Sequence, residues 1–381
     1  MSGQVNHEES RGTSHEPAGF DRAADADDLD THFAGLPYGV MAHDAITQVH
    51  GGAAPTLEQA PPAPEQVVVP AEPGTEFLRG VPAHVGKRPP SYPPHPLGRP
   101  SVRDADEFAA FSPAVLLDGA RVGRLTVRAA SVRGDSHNWE GNCRQDAMTV
   151  TRIGPPEAEM LLLAVADGVG SALYSHVGSD AFSRLAAVYL DREAESIYAA
   201  LCAQNEADLR TLATKAVAGA AGELRSGWAS SAGHKSRPYA DQDYATTLHV
   251  LLIPTDARVR ERVLCSVGDG GLFVLRQGRW EHGDPNDGGG LLDTRTEALP
   301  HAYHSVKAAL LRTVPGEVLL LGTDGITNPL TQKDPEFALR LADAWSGPVV
   351  PSMSDFLWQA QTRAMSYDDD RTVICVWEVD A

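Results

Sequence analysis

The sequence predicts an α+β sandwich rather than a doubly wound parallel sheet, and three observations predict it. Strand-like segments lie before and after a pair of Ala/Leu-rich helical stretches, instead of alternating with helices one for one. Several strands are unbroken apolar runs, such as MLLLAVA at 160–166, the pattern of a strand buried in a core. Turn signals rich in Asp and Gly follow these runs at short spacing.

The chain has 381 residues, room for two average domains or for one larger domain and a tail. Hydrophobic residues make up 42% and charged residues 22%, which suits a globular protein with a sizeable core. A formal charge of -19 and a sequence pI of about 5.1 repel nucleic acid and anionic membrane, so neither is expected as a partner. The opening MSGQVNHEES lacks a basic start followed by an apolar stretch, so no secretory signal is expected. The apolar runs are too short to cross a bilayer. Cys143, Cys202, Cys265 and Cys375 are widely spaced and form no CxxC pair. Reduced thiols in a cytoplasmic protein are therefore expected, rather than a disulfide framework or a zinc site. Cys143 stands directly beside Arg144, which leaves no room for the loop of backbone amides that a cysteine phosphatase needs between the two.

Residues 1–118 differ from the rest. An acidic opening, DRAADADDLD at 21–30, leads into a Pro-rich run, and nearly half of the 27 prolines lie between residues 55 and 100. Such composition favours extended, largely disordered chain. We expect a tail or linker over 1–118, followed by a folded domain over 119–381. RLTVRAASVRG (124–134) alternates, AMTVTRI (147–153) is rich in β-branched residues, and MLLLAVADGVG (160–170) is a buried strand ending at a turn. Apolar residues at helical spacing predict helices over about 176–192 and 205–227. A polar insert (230–243) precedes the strand YATTLHVLLI (244–253). VLCSVGDGGLFVLRQGRW (263–280) is expected to be a hairpin turning through GDGG. After a Gly/Asp-rich loop at 283–290, GEVLLLGTDGITNPL (316–330) and RTVICVWEV (371–379) supply the last buried strands.

Asp-Gly at 167–168, 269–270 and 324–325 would be an ordinary turn at any one position. All three, however, stand at or just after the end of an apolar strand, where core-fixed backbone can aim a carboxylate into a shared cleft. Asp146 opens the strand DAMTV, and Asp368, Asp369 and Asp370 precede the last one. Carboxylates that converge in this way repel one another and require cations. Oxygen ligands without His/Cys spacing point to Mg²⁺ or Mn²⁺.

The ordered segments QDA, AVADGVGS, ATTL, SVGDG, LLLGTDG and DDRTVI, spread over about 121–380, resemble the PPM (PP2C-like) family of metal-dependent protein phosphatases. The resemblance implies a β-sandwich of two antiparallel sheets flanked by helices, with two or three Mn²⁺ or Mg²⁺ ions at one end. By the same resemblance, Asp167 is the carboxylate that bridges two metals and Gly168 lends a carbonyl to one of them. Asp324 and Asp369 are further metal ligands, Asp146 holds metal-bound water, and Asp269 belongs to a third, weaker metal site. Asp368 and Asp370 stand behind the ligands or on the surface, and Thr246 and Thr247 are structural. Where the common family form has Glu-Asp and a phosphate-binding arginine, this chain has Gln145-Asp146 and Gly141. GDSHNWEGNCRQDA instead looks like a bacterial subgroup with an S-H...G...Q-D pattern, in which His137 or Arg144 touches the phosphate. A strand through 144–146 would put Arg144 and Asp146 on one face.

The implied activity is hydrolysis of phosphoserine or phosphothreonine in proteins by direct attack of a hydroxide bridging two ions about 3.5–4 Å apart, with a Ser/Thr kinase of the same pathway as a natural partner. Two alternatives stand beside it. One is a catalytically degenerate signalling domain, suggested by the missing Glu and Arg; the other is a phosphatase of a small phosphorylated metabolite. The acidic surface favours phosphosites flanked by basic residues.

Overall fold

The computed structural model describes residues 82–92, 113–230, 238–284, 297–364 and 367–378. Most of the stretch expected to be tail, residues 231–237 of the polar insert and the Gly/Asp-rich loop from 285 onward lie outside these residues. In chain order the elements are β1 (His84–Val85), β2 (Val115–Val122), β3 (Leu125–Val132), α1 (Asp135–Glu140), β4 (Ala147–Ile153) and β5 (Met160–Ala166). Then come α2 (Ser175–Arg192), α3 (Ala194–Cys202), α4 (Glu206–Ser230), β6 (Leu248–Pro254), β7 (Glu261–Val267), β8 (Gly271–Arg276) and β9 (Arg279–His282). The chain ends with β10 (Lys307–Arg312), β11 (Val318–Gly322), α5 (Asp324–Leu330), α6 (Glu336–Trp345), α7 (Met353–Ala360), β12 (Arg363–Ala364) and β13 (Arg371–Glu378).

Two antiparallel sheets carry the fold, a five-stranded one ordered β10-β7-β6-β5-β4 and a six-stranded one ordered β2-β3-β13-β11-β8-β9. The apolar runs are continuous because each sheet is covered on both faces. On β5, Leu161, Leu163 and Val165 point into the space between the sheets with Val127, Leu272, Leu319 and Ile374. The alternate residues Met160, Leu162 and Ala164 meet Phe182 and Leu190 of α2 and Leu209 and Val217 of α4. On the other sheet Val318, Leu320, Val373 and Cys375 turn outward against Phe337 and Trp345 of α6 and Phe356 of α7. The period of two along a strand thus sorts one run into two cores, with each fully buried Leu or Ile contributing roughly 1.5–3 kcal/mol. Among the described residues no helix is long and apolar enough to cross a membrane.

Three expectations change. The segment 263–280 is not one hairpin: β7 pairs with β6 and β10, whereas β8 pairs with β11 and β9. The GDGG turn carries the chain from one sheet to the other, with Gly268, Gly270 and Gly271 at φ of 87°, 103° and 136°, values that side chains resist. The true hairpin is β8–β9, turning through Gln277 and Gly278. The boundary expected after residue 118 falls inside β2, because Val115–Asp118 pair with Ala129–Val132. Finally, β1 lies within the stretch expected to be tail, yet it pairs in parallel with β12.

Candidate active site

The strand registers bring one end of every central strand together. Ala147 opposes Ala166, so Asp146 and Asp167 leave neighbouring strands at the same end. Gly322 opposes both Val373 and Gly271, which sets Asp324, the Asp369–Asp370 turn and the Asp269 turn around that end. Arg371 opposes Val132, so the segment after β3, which carries α1 and His137, begins there too.

Asp167 is framed by the threonine pair. Its N–H donates to Thr247 Oγ1 (3.0 Å), while its carbonyl accepts from Thr246 Oγ1 and from the Thr247 N–H (2.8 Å each). These threonines are structural, as expected. Gly168 opposes Thr246 in an antiparallel bridge whose hydrogen bonds run through Asp167 and Val169. The Gly168 carbonyl is therefore turned away from Thr246. A Cβ at Gly168 would stand 2.8 Å from Ser175 and 2.9 Å from the Gln145 carbonyl, so only glycine fits.

The carboxylates act on one another. Burial, followed by the charges of Asp146, Asp324 and Asp369, pushes Asp167 well above the usual carboxylate range. Asp324, the first residue of α5, is raised to about 6, chiefly by burial, while its hydrogen bond with Asp167 works the other way. Asp146 is raised by burial and by Asp370, against the hydroxyls of Thr372 and Thr323; Thr323 Oγ1 donates to its Oδ2 at 2.8 Å. Asp369 is exposed, with 60% of its side chain accessible. Asp269 is exposed and acts on Asp324 by charge; its backbone carbonyl is bonded to His249 Nε2 at 2.7 Å. The fold thus gathers Asp146, Asp167, Asp324 and Asp369, with Asp269 at the edge.

His137 lies on the same side. Its Nδ1 is 2.9 Å from Asp370 Oδ1 and its Nε2 is 3.9 Å from Asp369 Oδ1. Burial disfavours the charged ring, but the hydrogen bond and charge of Asp370, with the charges of Asp369 and Asp146, outweigh it and raise His137 to about 9. Arg144 behaves otherwise. Residues 142–146 are not strand, so the parity argument does not apply. Its buried guanidinium donates to the Pro113 carbonyl (3.1 Å), to Ser131 Oγ (2.6 Å) and to the carbonyl of Asp146. It braces the wall behind Asp146.

Asp370 is the residue whose weight the sequence hid. It is 2% exposed and accepts from the N–H groups of Gly134 (2.7 Å) and Gln145 (2.5 Å) as well as from His137, with the Asp146 N–H at 3.4 Å. Burial would raise it, but His137 and these N–H groups hold it below the usual carboxylate range. It is buried behind Asp146 and His137, not on the surface. Gly325 is packed on the same turn, where a Cβ would lie 1.9 Å from the Asp370 carbonyl. Gly325→Ala should therefore cost about 1–3 kcal/mol by overpacking, seen as a fall of about 5 °C in Tm. An unchanged melting curve would contradict the packing.

An antiparallel β-sandwich with helices outside and carboxylates gathered at one end is the architecture of the metal-dependent phosphatases. Residues 133–359 match the family model described as protein phosphatase 2C, and the chain belongs to that family. Among solved structures it is similar to RsbX in complex with magnesium, at 16% identity over 68% of this chain and 98% of that one, with a TM-score of 0.42. It is similar to the catalytic domain of the serine threonine protein phosphatase PstP in complex with 2 manganese ions, at 20% identity over 67% and 99%, with a TM-score of 0.40. A third is the Mycobacterium tuberculosis serine/threonine phosphatase PstP/Ppp, at 18% identity over 70% and 100%, with a TM-score of 0.41. A search of curated proteins finds no match.

Proposed function

We propose that this protein is a serine/threonine protein phosphatase that depends on Mn²⁺ or Mg²⁺. One observation supports the reading: the strand registers set Asp146, Asp167, Asp324 and the Asp369 turn at one end of the central strands, close enough for Asp146, Asp324 and Asp369 to act on Asp167 by charge. A cluster of like charges, of which Asp146 is buried, Asp167 and Asp324 half-buried and Asp369 exposed, is poorly compensated by side chains alone and is well suited to divalent cations. The donors proposed here are carboxylate and carbonyl oxygens, as hard cations prefer. Asp167, acted on by the three other carboxylates, would be shared between two ions. Asp324, Asp369 and the Gly168 carbonyl would complete their protein ligands, Asp146 would hold water beside them, and Asp269 would serve a weaker third ion.

When bound, such ions make water nucleophilic near neutral pH and neutralise charge on the phosphoryl oxygens. The chain's own contribution is orientation and proton handling. His137 donates through Nδ1 to Asp370, which fixes the ring and leaves Nε2 on the side of Asp369. There the imidazolium would hold a phosphate oxygen or give its proton to the departing serine or threonine alkoxide. Arg144, engaged on the wall, is not part of this proposal.

Phosphopeptide hydrolysis should vanish in EDTA and return with Mn²⁺, and His137→Asn should lower kcat about 10²-fold. A folded protein that binds Mn²⁺ but cleaves no phosphopeptide would favour the degenerate signalling domain. Faster turnover of small phosphate esters than of any phosphopeptide would overturn the protein-substrate part.

A further inference from the structure

Four consecutive residues, Gly134 to His137, are tied to Arg363 and to residues 368–371. Gly134 and His137 bind Asp370, while the N–H and Oγ of Ser136 both donate to the Asp368 carbonyl at 3.0 and 2.9 Å. Asp135 completes the set. Its Oδ2 accepts from Arg363 Nε at 2.7 Å and lies 3.5 Å from Arg371 Nη2, with all three side chains at most 7% exposed. Buried charges hold such geometry only while each is paired and bonded.

Arg363 has a second set of partners, and they come from upstream of the family match. The Ala83 carbonyl accepts from the Arg363 N–H at 2.7 Å, and the Tyr92 carbonyl accepts from Arg363 Nη2 at 2.7 Å. The segment is seated by Val85, 5% exposed in the same apolar cluster as Phe337 and Ala364. It is seated also by the Gly86 N–H, which donates to Glu336 Oε2 at 2.9 Å. Gly86 has φ of 96°. One face of a buried arginine is thus satisfied by residues 82–92 and the other by the first residue of the helix that bears His137.

We propose that residues 82–92 are an intramolecular strap that positions His137 through Arg363 and Asp135, so that the site works at full rate only with the strap seated. Arg363 and Asp135 are positioning residues, since neither is among the groups proposed to touch metal or phosphate. With the strap lifted, Arg363 loses two carbonyl acceptors inside the protein and must find others. Its grip on Asp135 loosens, and α1 shifts relative to Asp370. A misplacement of about 1 Å costs up to about 10²-fold in rate. The activity arm of this inference rests on the phosphatase reading; the coupling of strap to histidine does not.

The test uses the full-length chain. Gly86→Pro removes the N–H and cannot adopt the observed φ, and Glu336→Ala, at an exposed position, removes the acceptor without risk to the core. Hydrogen exchange at the Arg363 amide reports strap seating, the NMR resonances of the His137 ring report its position, and kinetics on a phosphopeptide with Mn²⁺ report the outcome. In both variants the Arg363 amide should exchange faster, the His137 resonances should move and kcat should fall about 10- to 100-fold with KM little changed. Mn²⁺ affinity by calorimetry should stay the same. Arg363→Lys, which cannot reproduce the fork between Asp135 and Tyr92, should move the same resonances. A deprotected Arg363 amide with wild-type His137 resonances and kcat would overturn the inference, as would an amide that stays protected in both variants. Moved resonances in a protein whose wild type cleaves no phosphopeptide would uphold the strap and refute the phosphatase.

Discussion

Asp167→Asn should abolish phosphopeptide hydrolysis, with kcat lower by on the order of 10³-fold or more, while the metal-free protein becomes more stable. The loss follows if the shared ligand of two ions is removed, since cation stabilisation of phosphoryl charge is worth several kcal/mol and each 1.36 kcal/mol is tenfold. The gain in stability follows from electrostatics alone. Asp167 is raised by burial and by Asp146, Asp324 and Asp369, so its charge opposes folding when no cation is present. Asp324 is raised as well. Its carboxyl rises from 3.8 to about 6, so the folded protein holds that proton more tightly than the unfolded chain. The resulting destabilisation is absent below about pH 4, grows as pH rises through 6 and is complete above it, at about 3 kcal/mol for this group. Urea unfolding in EDTA should show lower stability at pH 7.5 than at pH 5, and millimolar Mn²⁺ should remove the deficit by binding the folded state. Equal stability at both pH values in EDTA, or wild-type turnover by Asp167→Asn, would mean that these carboxylates do not form one site.

How much of this could be read in the sequence depended on the range of the interaction. Burial of both faces of β5 and β11 is written in their unbroken apolar runs, and an aspartate at the end of such a run has its backbone fixed by the core. The positions of Asp146, Asp167 and Asp324 were legible for that reason. The GDGG turn was not, because a hairpin and a crossing between two sheets begin with the same apolar run and the same glycines; only the pairing of β7 with β10 and of β8 with β11 separates them. Arg144 was misplaced because the parity rule needs a strand, and β4 begins only at Ala147. β1 escaped notice because its pairing is two residues long and lies in Pro-rich surroundings. Asp370 shows the limit most clearly. In a run of three aspartates nothing local says which one the fold will bury, since that is decided by the Gly134 and Gln145 N–H groups arriving from another segment.

That run supplies the second large effect, because neighbouring aspartates should fail in opposite ways. Asp370→Asn replaces one acceptor oxygen with an amide donor facing the N–H groups of Gly134 or Gln145 and removes the charge opposite His137. Breaking a buried, bonded charge pair on one side costs about 3–5 kcal/mol, which is a fall of about 10 °C in Tm. Turnover should drop as well, because the ring of His137 loses its anchor. Asp369→Ala removes an exposed side chain whose protein hydrogen bond is from the Asp370 N–H at 2.8 Å. Its stability should change by no more than about 0.5 kcal/mol. Calorimetry should nevertheless show weakened Mn²⁺ binding and kinetics a loss of turnover of at least about 10²-fold, as expected of a metal ligand. Urea midpoints separate the two roles without reference to activity. If Asp369→Ala unfolds as readily as Asp370→Asn, or if it binds Mn²⁺ and turns over like the wild type, then Asp369 is not the ligand and the division of labour among Asp368, Asp369 and Asp370 is wrong.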